Sequence, residues 1–564
     1  MSVNTPINIP VIDVYEFKIK DINFEDFNSG VYPRQSGYKQ FDNTPKNKCG
    51  LIEAEMLDES IDMQTNEPHG NRSCDVITNV GVDSNNVIKL LQDAAPEMNL
   101  LNEIYKINPS EPYCEYFEAK QLKQYITYII MTIQKITATI NCPLLDIPFG
   151  NIFYDDALIY TIKCDSNAKI INMGDIHGSF HSMFRNVRRL MSVGIMNENF
   201  KLAPNYYIIL TGDLIGYGMY SIWVLFLASL LMLYNKNNVF YIRGNHEGQI
   251  ELAERRGAND KITAYFVQRP TSIYDVELEH LDKITKEQQV DVSSLLFHDG
   301  QNENNLAFCL YELFKTLPSA IIIDYGDNKR IWYAHGGVAT DTFKHVAINI
   351  PKLYDDIKAI NTASIVSIHH IMDPAITTTI RFADFSDSDA QIEIRKGQII
   401  INEDSLYHFM MTNKIEFIVR GHFDRYHASF IHTPRFSEMI NPPVEYIKNI
   451  SMTEEVTGPI IRIICDKDRW SYHYPVLTLT TAVGPIKKVS YDSMAILRAD
   501  IPSDKIIDFS NSDITTKNQS KEEFQFGGSV LTENRISMML RRNIVFEKYM
   551  KYKLKYNALQ QRLK

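Results

Sequence analysis

The sequence lacks four things: paired cysteines, an apolar leader, a long apolar run and an excess of positive charge. Its seven cysteines (Cys49, Cys74, Cys114, Cys142, Cys164, Cys309 and Cys465) are scattered through 564 residues with no CxxC spacing. An odd, dispersed set of this kind reads as reduced thiols in a cytosol-like compartment and excludes a disulfide framework. The stretch from Met1 past Asp21 has no basic start followed by an apolar run, so no secretory signal is expected. The longest apolar run, Ile222 to Tyr234, is 13 residues, short of the ~18 that a membrane span needs, and is expected to be a buried helix. A net charge of −11 argues against nucleic acid as a partner of the whole chain. No repeat of fixed period is present.

What remains is globular in character. With 45% hydrophobic and 23% charged residues, the chain can bury a core, and its length allows roughly two to four domains at ~150 residues each. Residues 1–150 form an N-terminal region with no recognisable chemistry. Within it Leu122, Ile126, Ile129, Ile130, Ile133, Ile136 and Ile140 recur at three- and four-residue steps, which predicts a helix. From about residue 165 short apolar runs each end in a polar, glycine-containing cluster. Ala168–Met173 leads into GDIHG (174–178), Tyr206–Leu210 into GDLIGYG (212–218), and Val239–Ile242 into GNHE (244–247). Arg330–Ala334 leads into HGG (335–337) and Phe417–Val419 into RGH (420–422). Buried strands followed by tight polar loops, with helix-like stretches at Phe184–Met191 and Ile222–Tyr234 between them, predict a layered α/β fold. Residues 501–532 read as a polar linker. Residues 533–564 read as an amphipathic helical tail, locally basic because 541–564 carries eight Lys/Arg and one Glu.

The side chains at the strand ends are oxygen and imidazole donors with no thiolate. Asp175, His177, Asp213, Asn245, His335 and His422 suit borderline to hard divalent ions such as Mn, Fe or Zn and disfavour a structural Cys-type zinc site. One residue separates Asp175 from His177, so at the end of a strand both project to one side. Asp213, alone after its own strand, is the natural carboxylate to bridge two ions. Two ions ~3.5–4 Å apart generate a nucleophile near neutral pH and clamp an in-line displacement, which suits phosphate-ester hydrolysis. His246, next to Asn245, is then placed to protonate the leaving oxygen.

These five clusters, in this order, resemble the phosphoprotein phosphatase branch of the calcineurin-like metallophosphoesterases. Three further stretches extend the likeness. LPSA (317–320) resembles that branch's LPxAA, DFSD (384–387) its WSDP, and Arg395-Lys396-Gly397 with Asn402-Glu403-Asp404 and Phe409 its run before the last metal histidine. The resemblance covers roughly 165–500 and implies a four-layer α/β sandwich as a catalytic domain, with an extra N-terminal region and a C-terminal helix. It implies one ion on Asp175, His177 and Asp213, and a second sharing Asp213 and adding Asn245, His335 and His422. Arg395 would hold a phosphate oxygen through its planar guanidinium fork.

The sequence departs from that branch in its second loop. Gly216 stands where an aspartate would orient the general-acid histidine, and Tyr217 stands where a phosphate-binding arginine is expected. Three functions follow: a Ser/Thr-type protein phosphatase, a small-molecule or nucleotide phosphoesterase, and a weakened phosphatase-fold scaffold that binds a protein. The expected partners are a phosphoprotein or small phosphoester substrate, with a protein or membrane-surface contact through the basic tail. The expected location is the cytoplasm, a host cell's if the abundance of Asn, Ile, Lys and Tyr reflects an AT-rich viral genome. The adjacent His369 and His370 have no third ligand nearby and read as structural.

Overall fold

A computed structural model describes residues 11–18, 96–109, 111–141, 157–165, 167–248, 277–297, 304–325, 330–341, 346–347, 365–371, 374–385, 392–395, 398–422, 428–432, 437–439, 461–464, 476–481 and 491–498. The linker and tail expected over 501–564 lie outside these residues.

Two sheets form the body. Its strands, in chain order, are β1 (Val11–Lys18), β2 (Ala157–Lys163), β3 (Lys169–Met173), β4 (Tyr206–Leu210), β5 (Val239–Tyr241), β6 (Ala320–Asp324) and β7 (Arg330–Ala334). They continue with β8 (Ile365–Ile371), β9 (Ile415–Arg420), β10 (Ala428–His432), β11 (Ser437–Met439), β12 (Ile461–Ile464), β13 (Val476–Leu479) and β14 (Tyr491–Arg498). The first sheet has the order β12-β1-β14-β3-β4-β5, the second β8-β2-β6-β7-β9-β13-β10-β11. The strands that precede the sequence motifs are parallel neighbours: β3 with β4, β4 with β5, and β7 with β9. All five polar loops therefore leave the carboxyl ends of their strands, where α/β folds gather chemistry.

The period-two pattern of the strands decides the layering. On β3 and β4, Ile170 and Ile209 face a core shared with Leu158, Tyr160, Ile321, Phe417 and Val419 of the second sheet. Their neighbours Ile171, Met173, Ile208 and Leu210 face the opposite way, into a helical layer. That layer holds α1 (Pro96–Lys106), α2 (Ala119–Asn141), α3 (Phe180–Ser192), α4 (Ser221–Tyr234) and α5 (Leu306–Thr316). On the far side of the second sheet, Trp332 and Ile418 pack against Phe409 and Met410 of the helix Glu403–Asn413. The result is helix, sheet, sheet, helix: the four-layer α/β sandwich. The helix expected over 121–140 spans Ala119–Asn141, and the apolar run 222–234 is buried along α4. No helix among the described residues is long and apolar enough to cross a membrane.

Two parts of the N-terminal region over 1–150 pack into this body. β1 lies inside the first sheet, pairing antiparallel with both β12 and β14 (Ile12 opposite Ile463 and Leu497). A buried Arg498–Asp13 ion pair of 2.7 Å ties it there. Helices α1 and α2 belong to the same hydrophobic layer as α3–α5. Sequence periodicity carries no information on pairing partners hundreds of residues away, so this placement is not legible along the chain.

Candidate metal centre

The first loop follows β3, and its conformation is set by the second. Ile176 N and His177 N both donate to Asp213 O (3.0 and 2.8 Å), and Gly178 N donates to Leu214 O (2.8 Å). Gly218 N donates back to His177 O at 2.9 Å. Loops 174–179 and 211–218 are thus one hydrogen-bonded unit. The fourth and fifth loops meet them from the other sheet: Gly421 N donates to His335 O (3.1 Å), and His422 N donates to Asp175 Oδ1 (3.0 Å).

The side chains converge inside this frame. Asp175 and His335 are fully buried and Asp213 is 2% exposed. Asp213 Oδ2 lies 3.2 Å from His335 Nε2, 3.8 Å from His177 Nε2 and 3.9 Å from His246 Nε2. Asp175 Oδ2 lies 3.9 Å from His177 Nε2, and its Oδ1 lies 3.7 Å from His335 Nδ1. The Asn245 carboxamide oxygen stands 2.7 Å from His335 Nε2 and 3.0 Å from His422 Nδ1. Two triads place their donor atoms within 4.8 Å of one another, His177–Asp213–His246 and Asp175–Asp213–His335, and Asp213 is common to both.

This donor set fits divalent cations. His177 Nδ1 meets the backbone carbonyl of Ile215 (3.2 Å) and His335 Nδ1 meets that of Thr211 (2.9 Å). A carbonyl only accepts, so each Nδ1 carries the hydrogen and each Nε2 turns a lone pair inward, as carbonyl-supported metal histidines do. His335 Nε2 then faces an amide oxygen and a carboxylate. Protonating it is not a way out, because burial first of all holds His335 down to about 4. Burial, then the neighbouring His335, likewise holds His422 down to about 3. Two buried carboxylates among neutral imidazoles make a site whose charge suits bound cations.

Backbone strain is concentrated in the same place. Eight described non-glycine residues have positive φ, and four of them are His177 (47°), Asp213 (50°), Tyr217 (53°) and His422 (69°). Each such conformation costs on the order of 1 kcal/mol or more and survives only where the surroundings fix it. Glycine serves close approach at two points. A Cβ on Gly421 would collide with Asp175 Oδ1, and one on Gly216 (φ 97°) would collide with His246 Nδ1. The second collision explains the departure at position 216: the His246 ring occupies the space an aspartate would need. His246 is packed by rings instead, with centroids 4.9 Å from His177 and 5.1 Å from Tyr217, while Tyr217 meets His177 edge-on at 4.7 Å.

Of the six candidate ligands, the candidate acid His246 and the candidate phosphate contact Arg395, all but Arg395 come together here. Arg395 ends the short strand Ile392–Arg395, where it pairs with Gln398, and its side chain lies outside those described. His369 and His370 sit on β8 opposite Ile159 and Leu158, their side chains likewise outside the description. Sequence reasoning missed Glu247. Its buried carboxylate accepts from Asp213 N and Gly244 N (both 2.9 Å) through Oε2. Its Oε1 accepts from Leu214 N (2.8 Å), Ile215 N (3.4 Å) and the Tyr241 hydroxyl (2.6 Å). One side chain therefore fixes both the loop that carries Asp213 and the loop that carries Asn245. Burial, then Asp213, push this carboxyl up, while the ring of donors favours its ionised form. The signal in the sequence was only its place within GNHE. Arg420 was quoted only as part of RGH. It is 1% exposed, and its Nη1 donates to Asp384 Oδ1 at 3.1 Å, tying the last metal loop to the DFSD stretch.

Residues 168–426 match the calcineurin-like phosphoesterase family. Comparison with curated proteins finds no match. Among solved structures, the chain is similar to a protein serine/threonine phosphatase from Saccharomyces cerevisiae with similarity to human phosphatase PP5. That pair is 16% identical over 64% of this chain and 77% of the other, with a TM-score of 0.34. It is also similar to a cold-active protein-tyrosine phosphatase of a psychrophilic Shewanella species, 15% identical over 48% of this chain and 69% of the other, TM-score 0.25. Residues 168–426, with their buried carboxylate–imidazole cluster at the strand ends, are thus a calcineurin-like phosphoesterase domain, a metallophosphoesterase.

Proposed function

We propose that the chain is a metal-dependent phosphatase of the Ser/Thr protein type, with two divalent ions (Mn, Fe or Zn) held by Asp175, His177, Asp213, Asn245, His335 and His422. The observation that carries this reading is Asp213: one carboxylate oxygen within 3.2–3.9 Å of three imidazoles from three loops. Ions bound there supply Lewis acidity toward the phosphoryl oxygens and a nucleophile at neutral pH. The chain's own residues do the rest. Asp213 Oδ1 accepts from His246 N (2.8 Å), which pins the histidine backbone beside the centre. Ring packing against His177 and Tyr217 then turns His246 Nε2 toward Asp213 and the reacting group. As the bond between phosphorus and the leaving oxygen breaks, the Nε2 proton passes to that oxygen, a transfer worth ~10²–10⁴-fold. Arg395 is assigned the role of gripping a phosphate oxygen on the strength of its local sequence alone.

A second reading, hydrolysis of a nucleotide-type or small phosphoester, draws on Tyr217. An uncharged, partly exposed ring stands beside His177 and His246 where the phosphoprotein branch presents a guanidinium.

The test is turnover of p-nitrophenyl phosphate and of a phosphoserine peptide with added Mn²⁺, by wild type, Asp213→Asn and His246→Asn. Asp213→Asn should abolish both activities. His246→Asn should lose ~10²-fold or more on the peptide, whose alkoxide leaving group needs the proton, and less on the nitrophenyl ester. Preference for dinucleoside polyphosphates over the peptide would favour the second reading. Wild-type turnover no greater than that of the variants, with ions still bound, would turn the protein into a scaffold.

A further inference from the structure

The two helices of the first sheet's outer layer that begin next to the metal centre are α3 and α4. The loop carrying Asp175 and His177 runs directly into α3, and the loop carrying Asp213 and Tyr217 runs through Tyr220 into α4. Both helix starts are held by two short stretches, residues 107–109 and 111–113, which precede the family match by more than fifty residues.

The contacts are specific. His181, in the first turn of α3, donates from Nε2 to Ile107 O at 2.8 Å. The Tyr220 hydroxyl, one residue before α4, points its single proton at Glu111 O (2.6 Å) and Asn108 O (3.2 Å). The Tyr113 hydroxyl donates to Glu277 Oε1 at 3.0 Å, and both oxygens of that buried carboxylate stand 3.2 Å from Ile222 N in the first turn of α4. Rings fill the space between these bonds. Tyr113 meets Tyr220 at 5.4 Å and Trp223 at 5.6 Å, and His181 meets Tyr220 edge-on at 4.9 Å.

We propose that residues 107–109 and 111–113 are a buttress for the metal loops, and that Tyr220 is the positioning residue through which it acts. The physical route is short. Tyr220 closes the loop whose Gly218 N bonds His177 O, and the same loop supplies the Asp213 and Leu214 carbonyls that hold residues 176–178. His177, Asp213 and Tyr217 all sit at positive φ. Such conformations relax unless contacts outside the loop over-determine them; Glu247, His246 and His335 supply such contacts on the side of the centre, and this segment supplies one at the far end of the loop through Tyr220. The N-terminal region thereby becomes part of the catalytic apparatus without touching substrate. This inference rests on Asp175, His177 and Asp213 being metal ligands.

The experiment uses full-length protein carrying Tyr220→Phe, which keeps the ring and loses the hydroxyl. Tyr113→Phe serves as a second cut in the same buttress. Ala228→Gly, in the buried middle of α4, is the control that weakens the helix without touching the buttress. Backbone hydrogen exchange is followed in peptides covering 174–180 and 212–218 of the metal-free protein, and Mn²⁺ affinity is measured by calorimetry. Both tyrosine variants should exchange about fivefold faster in these two peptides and bind Mn²⁺ about fivefold more weakly, the change expected for one net hydrogen bond. Ala228→Gly should lower the melting temperature and leave both readouts at the wild-type level. Wild-type exchange in the tyrosine variants, or equal loosening by Ala228→Gly, overturns the buttress. Faster exchange in a protein whose wild type binds no Mn²⁺ would sustain the buttress and sink the metal assignment.

Discussion

Glu247→Gln removes one charge and exchanges one oxygen for an NH₂ in a pocket lined by donors. The new amide has two orientations. With its NH₂ in the place of Oε2 it faces Asp213 N and Gly244 N, leaving two buried N–H groups without an acceptor. With its NH₂ in the place of Oε1 it faces Leu214 N and the more distant Ile215 N, but the Tyr241 hydroxyl can rotate and accept. The second orientation is cheaper, since it strands one well-formed N–H donor. At about 1–3 kcal/mol for a buried unsatisfied group, a loss near 2 kcal/mol follows. For a domain of this size that lowers the melting temperature by about 4 °C. The stranded donor lies next to Asp213, so the loss falls on the geometry of the centre, and turnover should drop by at least tenfold. Differential scanning calorimetry and Mn²⁺-supported p-nitrophenyl phosphate turnover check the two parts separately. A variant melting within 1 °C of wild type, with turnover within twofold, would refute the claim that Glu247 organises both loops.

Two further substitutions probe the surroundings of the centre. Gly216→Asp restores the residue of the phosphoprotein branch, yet its Cβ collides with His246 Nδ1 and its φ of 97° disfavours any side chain. Turnover should fall at least tenfold, and a gain in p-nitrophenyl phosphate hydrolysis would contradict the ring-packed placement of His246. His181 is held neutral in the fold, burial above all lowering it from 6.5 to about 3. The unfolded chain takes up a proton below pH 6.5 that the folded chain refuses, so this contribution is intact above 6.5 and is lost as pH falls toward about 3. By pH 5 the loss reaches about 2 kcal/mol at ~1.4 kcal/mol per unit, and urea midpoints should show it shrinking in His181→Gln.

The candidate donors were legible in the sequence because each sits in a short loop after a strand, a pattern that local residues dictate. Asp175, His177, Asp213, Asn245, His335 and His422 each announce themselves through an apolar run, a glycine and a donor side chain. The layering was legible too, since alternate positions on β3 and β4 need two cores. What holds those side chains in place was not. Glu247 looks like one more residue of GNHE until four backbone amides from two loops are seen converging on it. Tyr220 looks like a core aromatic until its hydroxyl is seen to end on carbonyls more than a hundred residues upstream. The role of Gly216 is likewise invisible along the chain, because it depends on where the His246 ring lies. The sequence by itself determined which atoms are available as ligands and which faces must be buried, both consequences of local residue type and period. The tertiary structure alone decided that β1 joins the first sheet, that the segment after α1 bonds the starts of α3 and α4, and that Asp213 lies within reach of three imidazoles. These are matters of long-range pairing and packing, whose partners are separated along the chain by up to several hundred residues and leave no periodic trace in it.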